Sequence, residues 1–106
     1  MDEPARIFVE LLDVRARAKV MRWLSMLEEK GPALPRPYAD VLDGPIRELR
    51  VGCGRLAIRL LYFFHGRSII VVAHGFLKKT RSVSADDILR AHRAHADWLM
   101  RYGGKT

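Results

Sequence analysis

The second half of the chain holds three apolar, strand-like runs in succession, at residues 46–51, 55–64 and 67–75, separated only by tight glycine-bearing connections. Gly52-Cys53-Gly54 and His65-Gly66 are too short to cross over a sheet, so both pairs of runs must be antiparallel hairpins. The rest of the chain has to fold around that meander. The third run passes through Gly75-Phe76 and delivers two adjacent lysines, Lys78 and Lys79, at its exposed end. A rigid strand end is a good place to hold cations against a phosphate.

Helical periodicity flanks the sheet. The spacing predicts a short helix over residues 3–12, with Pro4 in its first turn and Ile7, Phe8 and Leu11 on one side. Asp13 reads as the N-cap of a second helix over residues 14–30. Its Val20, Trp23, Leu24 and Leu27 follow helical spacing, and Arg15, Arg17, Lys19 and Arg22 form a solvated face. Gly31-Pro32 stops it. Residues 31–45 contain four prolines and two glycines, a shaped connector with one helical turn expected at 38–42. Asp43-Gly44-Pro45 then turns the chain into the sheet. Ser84, with Asp87 three residues on, caps a last helix lined on one side by Ile88, Ala91, His95, Trp98 and Tyr102. Its end, residues 103–106, is expected to fray. The expected class is α+β: N-terminal helices and a C-terminal helix packed on a small antiparallel sheet, in a single domain spanning residues 1–106.

At 106 residues and 49% hydrophobic content the chain has room for one modest core and is no disordered tail. A single cysteine, Cys53, excludes an internal disulfide and a Cys-rich zinc site, which fits a reducing cytoplasm. The first twelve residues lack the apolar region of a signal peptide, and no run approaches the length of a membrane span. The net charge of +7 is unevenly placed. Residues 1–46 hold seven Lys/Arg against eight Asp/Glu, and residues 47–106 hold twelve against four. A basic half on a near-neutral half suggests a polyanion-binding face, nucleic acid foremost, against the plainer reading of a solvated surface.

Strand alternation aims the charges. A two-residue turn at His65-Gly66 sets Phe64 opposite Arg67 and Arg59 opposite Val72. Leu56, Ile58, Leu60, Tyr62, Ile69, Val71 and Ala73 then share one face, which takes the helices. Ala57, Arg59, Leu61, Phe63, Ile70, Val72 and His74 share the other. A two-residue turn at Cys53-Gly54 adds Leu49 and Val51 to the helix-packing face and sends Glu48 and Arg50 to the face of Arg59 and His74. A three-residue turn would bury Glu48 and Arg50, at a cost greater than any turn preference. Glu48, Arg50, Arg59 and His74 thus converge, with Lys78, Lys79 and Arg81 at the edge. Each has a plainer reading: Glu48 and Arg59 as a cross-strand ion pair, His74 as a satisfied sheet histidine, the lysines as solvated, Tyr62 as core. His92 and His95, three apart on a helix, read as surface and packing, so no metal ligand set and no cofactor is expected.

Four segments also resemble a known family. They are the Leu-Glu-Glu-Lys-Gly-Pro-x-Leu-Pro-x-Pro stretch at 27–37, the run from Leu42-Asp-Gly-Pro to Glu48-Leu-Arg50, Arg59-Leu-Leu-Tyr-Phe-Phe64, and His74-Gly-Phe-Leu-Lys-Lys-Thr80. In that order and spacing they look like the HigB-type branch of the RelE/ParE toxin superfamily, a branch that includes small phage-derived toxin-like proteins. The likeness covers about residues 4 to 99. It implies helices packed on one face of a small antiparallel sheet, and a ribosome-dependent endoribonuclease that cuts messenger RNA. It also implies a cognate antitoxin with a helix-turn-helix domain, in a toxin–antitoxin hetero-oligomer. Members commonly begin with a strand before the first helix, whereas Glu3 already falls in the helical pattern, so that edge strand looks missing or shortened here. Related toxins carry a C-terminal tyrosine or histidine that positions substrate, a place Tyr102 could take.

RNA is cut without metal when its own 2′-hydroxyl attacks the adjacent phosphate. That needs a base near the 2′-oxygen, cations on the phosphorane and an acid for the 5′-oxygen. Arg59 and Arg50 suit the phosphate clamp, with Arg47 and Arg81 as further phosphate contacts. Lys78 and Lys79 add charge, and either could act as base if crowded cations depress its pKa. His74 and Glu48 are alternative proton carriers, and Glu48 and Tyr62 support the site. A gyrase-poisoning toxin of the ParE kind, or a non-catalytic basic RNA- or antitoxin-binding module, are the alternatives on the same fold.

Overall fold

Two glycines decide where the main hairpins turn. In the computed structural model, which describes residues 1–103, Gly54 and Gly66 adopt φ of 59° and 63°. Only glycine enters that region without strain. The fraying expected of the chain's end falls largely on 104–106, outside the described residues. The order is α1 (Glu3–Glu10), α2 (Val14–Lys30), a short 3₁₀ turn (Gly31–Ala33), β1 (Ala39–Asp43), β2 (Ile46–Cys53), β3 (Leu56–His65), β4 (Ile69–Leu77) and α3 (Ala85–Trp98). A π-helical turn, Leu99–Gly103, continues α3. The strands form one antiparallel sheet in sequence order, β1-β2-β3-β4.

The expected helical turn at 38–42 is instead β1. Five residues cannot pay helix nucleation alone, whereas Gly44-Pro45 makes a two-residue hairpin that pairs Asp43 with Ile46 and Asp40 with Glu48. Gly44 in the first central position, at φ 57°, was the signal, since it suits a hairpin turn that needs a strand on each side.

The β2–β3 turn is Gly54-Arg55, one residue later than expected, with Cys53 paired to Leu56. A glycine in the first central position suits a type II′ turn. Arg59 therefore faces Arg50, and Glu48 faces Leu61 rather than Arg59. Faces are unchanged by this two-residue difference in register. Leu49, Val51, Ile58, Leu60 and Tyr62 bury together beneath α1 and α2.

The β3–β4 loop has three residues, Gly66, Arg67 and Ser68, and pairs His65 with Ile69. Phe64 consequently faces Ile70, not Arg67, and Arg59 faces Phe76, not Val72. The odd change turns the first half of β4 over. Ile70 and Val72 lie with α1 and α2, and Val71 lies with α3. A bulge between Val72 and His74 then reverses the parity again. Ala73 joins the α3 side, and His74, paired with Leu61, returns to the face of Arg59.

The helices do not share one face, as the family resemblance implied. α1 and α2 cover one side through Ala5, Val9, Ala16, Val20 and Leu27. α3 covers the other, where Ala91 packs with Ile46, Leu61, Phe63, Val71 and Ala73. Before α1, the Asp2 N–H donates to the Val72 carbonyl at 2.9 Å, a single ladder-like bond on the outer edge of β4. Gly75 has a steric role: a Cβ there would stand 2.4 Å from the Phe8 ring, so its bareness lets α1 close onto β4. None of the described helices is long and apolar enough to cross a membrane.

Candidate functional site

β2 and β3 present alternate residues to the α3 side of the sheet, and beyond the reach of α3 those residues are charged. Glu48 is 2% exposed, whereas strand alternation predicts an open face for it. Alternation gave its face correctly but not its cover, which is built from the arginines it binds. Arg50 Nε donates to Glu48 Oε1 at 3.0 Å. Arg59 Nε stands 3.2 Å from Glu48 Oε2, an ion pair whose angle leaves both atoms without a hydrogen bond. Arg59 Nη1 donates to the Ile58 carbonyl at 3.0 Å. One carboxylate thus fixes two guanidiniums that face each other across the β2–β3 ladder, where bare they would repel.

The network runs on into β1. Asp40 stands directly opposite Glu48, a like-charge pairing that Arg50, at 3.5 Å from Asp40, bridges. Arg36 binds Asp40 at 2.8 Å. Loss of water raises the Asp40 pKa, but the bond from Arg36, the Val41 N–H and the charges of Arg36 and Arg50 bring it below the usual value. The sequence carries no signal for Arg36 and Asp40, because only the pairing of β1 with β2 brings them to this network.

β4 supplies the far wall. Phe76 pairs with Arg59 and stacks on His74 with ring centroids 5.4 Å apart. His74 Nε2 lies 2.7 Å from Asp87 Oδ1, and Ser84 Oγ lies 2.6 Å from Asp87 Oδ2. The carboxylate of the helix cap therefore orients the ring, much as a buried acid orients a catalytic histidine. No sequence spacing announces that bond, since it depends on where α3 docks. Burial raises the Asp87 pKa, but hydrogen bonds from Ser84 and His74 with the charges of His74 and Arg90 bring it below the ordinary 3.8. A folded value below the unfolded one stabilises the protein above that pH and is lost as pH falls through the folded value. Asp87→Asn is expected to cost about 1–2 kcal/mol at pH 7. In thermal melts, the gap to wild type should shrink below about pH 4, and a gap independent of pH would contradict it.

Lys78 is held through its backbone, its N–H donating to the Ala57 carbonyl at 2.7 Å. That puts it opposite Ala57, on the register face of Arg59. Lys79 and Arg81 follow on the exposed loop. Lys78, Lys79 and Arg81 make no ion pair among the described residues. Two expected members lie elsewhere. Arg47 is on the α2 side, its guanidinium 5.3 Å from the centre of the Phe64 ring. Tyr62 is 1% exposed in that same core, and burial raises its pKa. Tyr102 packs at a tilt against Trp98 at the far end of α3, beside Ile69–Val71 and away from Arg59. His92 Nε2 binds Asp43 at 2.6 Å and His95 packs edge-on against Phe63. Burial and neighbouring His92 lower the His95 pKa.

Three helices packed on a four-stranded antiparallel meander make an α+β fold consistent with that of RelE-like proteins. Residues 8–95 match the family described as phage derived protein Gp49-like (DUF891), and the chain belongs to that family, a member of the RelE/ParE-like toxin superfamily. The membership makes it toxin-like, of the kind found in toxin–antitoxin systems, and implies an antitoxin partner. No curated protein matches the sequence.

Proposed function

We propose that this chain is a HigB-type toxin that cuts messenger RNA on the ribosome in the cytoplasm and is held in check by a helix-turn-helix antitoxin. The observation that carries this reading is the pair Arg50 and Arg59, locked side by side by the buried Glu48 with Lys78 at the rim. Two planar guanidiniums in fixed positions suit a phosphate that gains charge as the 2′-oxygen attacks. Preorganisation lowers the cost of orienting them during reaction. Lys78 and Lys79 add charge at the open edge. His74, oriented by Asp87, is the proton carrier with the better-defined geometry, because Glu48 is occupied by both arginines.

The test is a ribosome assay. Purified chain added to ribosomes translating a defined messenger should produce discrete cuts, mapped by primer extension, and its expression should arrest growth unless the antitoxin is co-expressed. Intact messenger together with inhibited DNA supercoiling would move the chain to the gyrase-poisoning reading. Intact messenger with antitoxin binding alone would leave a non-catalytic module.

A further inference from the structure

A cavity of about 530 Å³ opens beside the arginine pair, where β2 runs on past its pairing with β1. Its cations are Lys19, Arg50, Arg55 and Arg59, and no carboxylate among the described residues lines it. Two aromatic residues complete the wall. Trp23 of α2 and Tyr38 of the connector meet edge to face with ring centroids 5.8 Å apart. Lys19 bonds to the Gly52 carbonyl and stands 5.2 Å from the centre of the Trp23 ring, so it belongs to this wall and not to a solvated face.

Gly52 is the second observation. It lines the cavity, its φ is not in the left-handed region, and a Cβ there would meet nothing within 4 Å. Neither backbone conformation nor packing therefore demands a glycine. What its bareness does is leave the cavity floor open. Its carbonyl points outward to Lys19, as the Arg50 N–H points outward to the Tyr38 carbonyl at 2.8 Å. Strand alternation puts the Gly52 N–H on that same edge, a backbone donor beside the cations.

Two arginines held by carboxylates outside the cavity lining, Lys19 and Arg55 with no ion pair among the described residues, aromatic rings and an open backbone donor are the chemistry of a nucleotide site. Arginines take the phosphate, and π-faces take a base whatever its identity. We infer that this cavity binds one unpaired nucleotide of single-stranded RNA, next to the phosphate clamped by Arg50 and Arg59. The inference rests on the ribonuclease reading for its substrate class, and it adds Trp23, Tyr38 and Arg55 as positioning residues.

Binding is tested apart from cleavage. Purified full-length chain is titrated with AMP, UMP and inorganic phosphate, following the Trp23 indole N–H by NMR, with Trp98 on the distant α3 as internal reference. Both nucleotides should move the Trp23 signal at millimolar concentration, and phosphate alone should bind more weakly. Gly52→Val fills the floor in a strand that favours β-branched residues, and should weaken nucleotide binding about tenfold or more with an unchanged melting temperature. Arg55→Glu, on an exposed turn, should do the same should the valine variant fail to fold. No Trp23 shift, affinity for phosphate equal to that for nucleotides, or binding unaffected by both variants would overturn the site. Nucleotide binding lost in Gly52→Val without any messenger cleavage by wild type would refute the ribonuclease and keep the cavity. Cleavage by a chain whose Trp23 never responds would do the reverse.

Discussion

Arg59→Ala is expected to reduce messenger cleavage in the ribosome assay by about 100- to 1000-fold, the range seen when one preorganised donor to a developing oxyanion is removed. The residue has no substitute nearby. Arg50 is shared between Glu48 and Asp40, and Lys78 offers a point charge from a flexible stem. Arg59→Lys separates charge from geometry. A lysine keeps the positive charge but loses the planar fork and the bond to the Ile58 carbonyl, so it should restore only a small part of the rate. Circular dichroism must show both variants folded, since Glu48 keeps its bond to Arg50 in each. A rate unchanged in Arg59→Ala would remove the residue from the chemistry.

Glu48→Gln should cost about 3 kcal/mol of stability. For a domain of this size that corresponds to a fall of roughly 12 °C or more in melting temperature. The shape is preserved, so the cost comes from charge. Arg59, only 15% exposed, loses its ion-pair partner among the described residues, and the directly opposed Arg50 and Arg59 are left to repel. A double-mutant cycle checks the cause. Glu48→Gln in an Arg59→Met background should cost distinctly less, because the stranded charge is gone. Equal losses in both backgrounds would mean that the pair contributes nothing specific.

The arrangement of β2 and β3 was legible because alternation survives any even change of register. Leu49, Val51, Ile58 and Leu60 bury together even though the turn lies one residue from where it was read. β4 shows the limit. Its three-residue loop and its bulge are each odd displacements, and no residue type in Val72-Ala73-His74 marks the bulge. Ile69, Val71 and Ala73 therefore lie on the face opposite to the one that alternation predicts, while His74 lies on the predicted face beside Arg59 because the two displacements cancel. The burial of Glu48 was hidden for another reason. Parity says which way a side chain points and nothing about what stands over it. Lys19 illustrates the same gap, since helical spacing cannot tell that the edge of β2 stops within reach of its amine.

The sheet order β1-β2-β3-β4 has a kinetic side. Every strand pairs with its neighbour in the chain across a loop of two or three residues, so closing the meander sacrifices little loop entropy. The ion network that spans β1, β2 and β3 forms within that inexpensive unit. The long closure is the docking of α1, which brings Asp2 to Val72 and Phe8 to Gly75 across most of the chain's length. Contacts of that span are the slow ones to find. The arginine-bearing face can therefore take shape early, while the N-terminal helix that buries the other side of the same sheet arrives late and completes the cooperative fold.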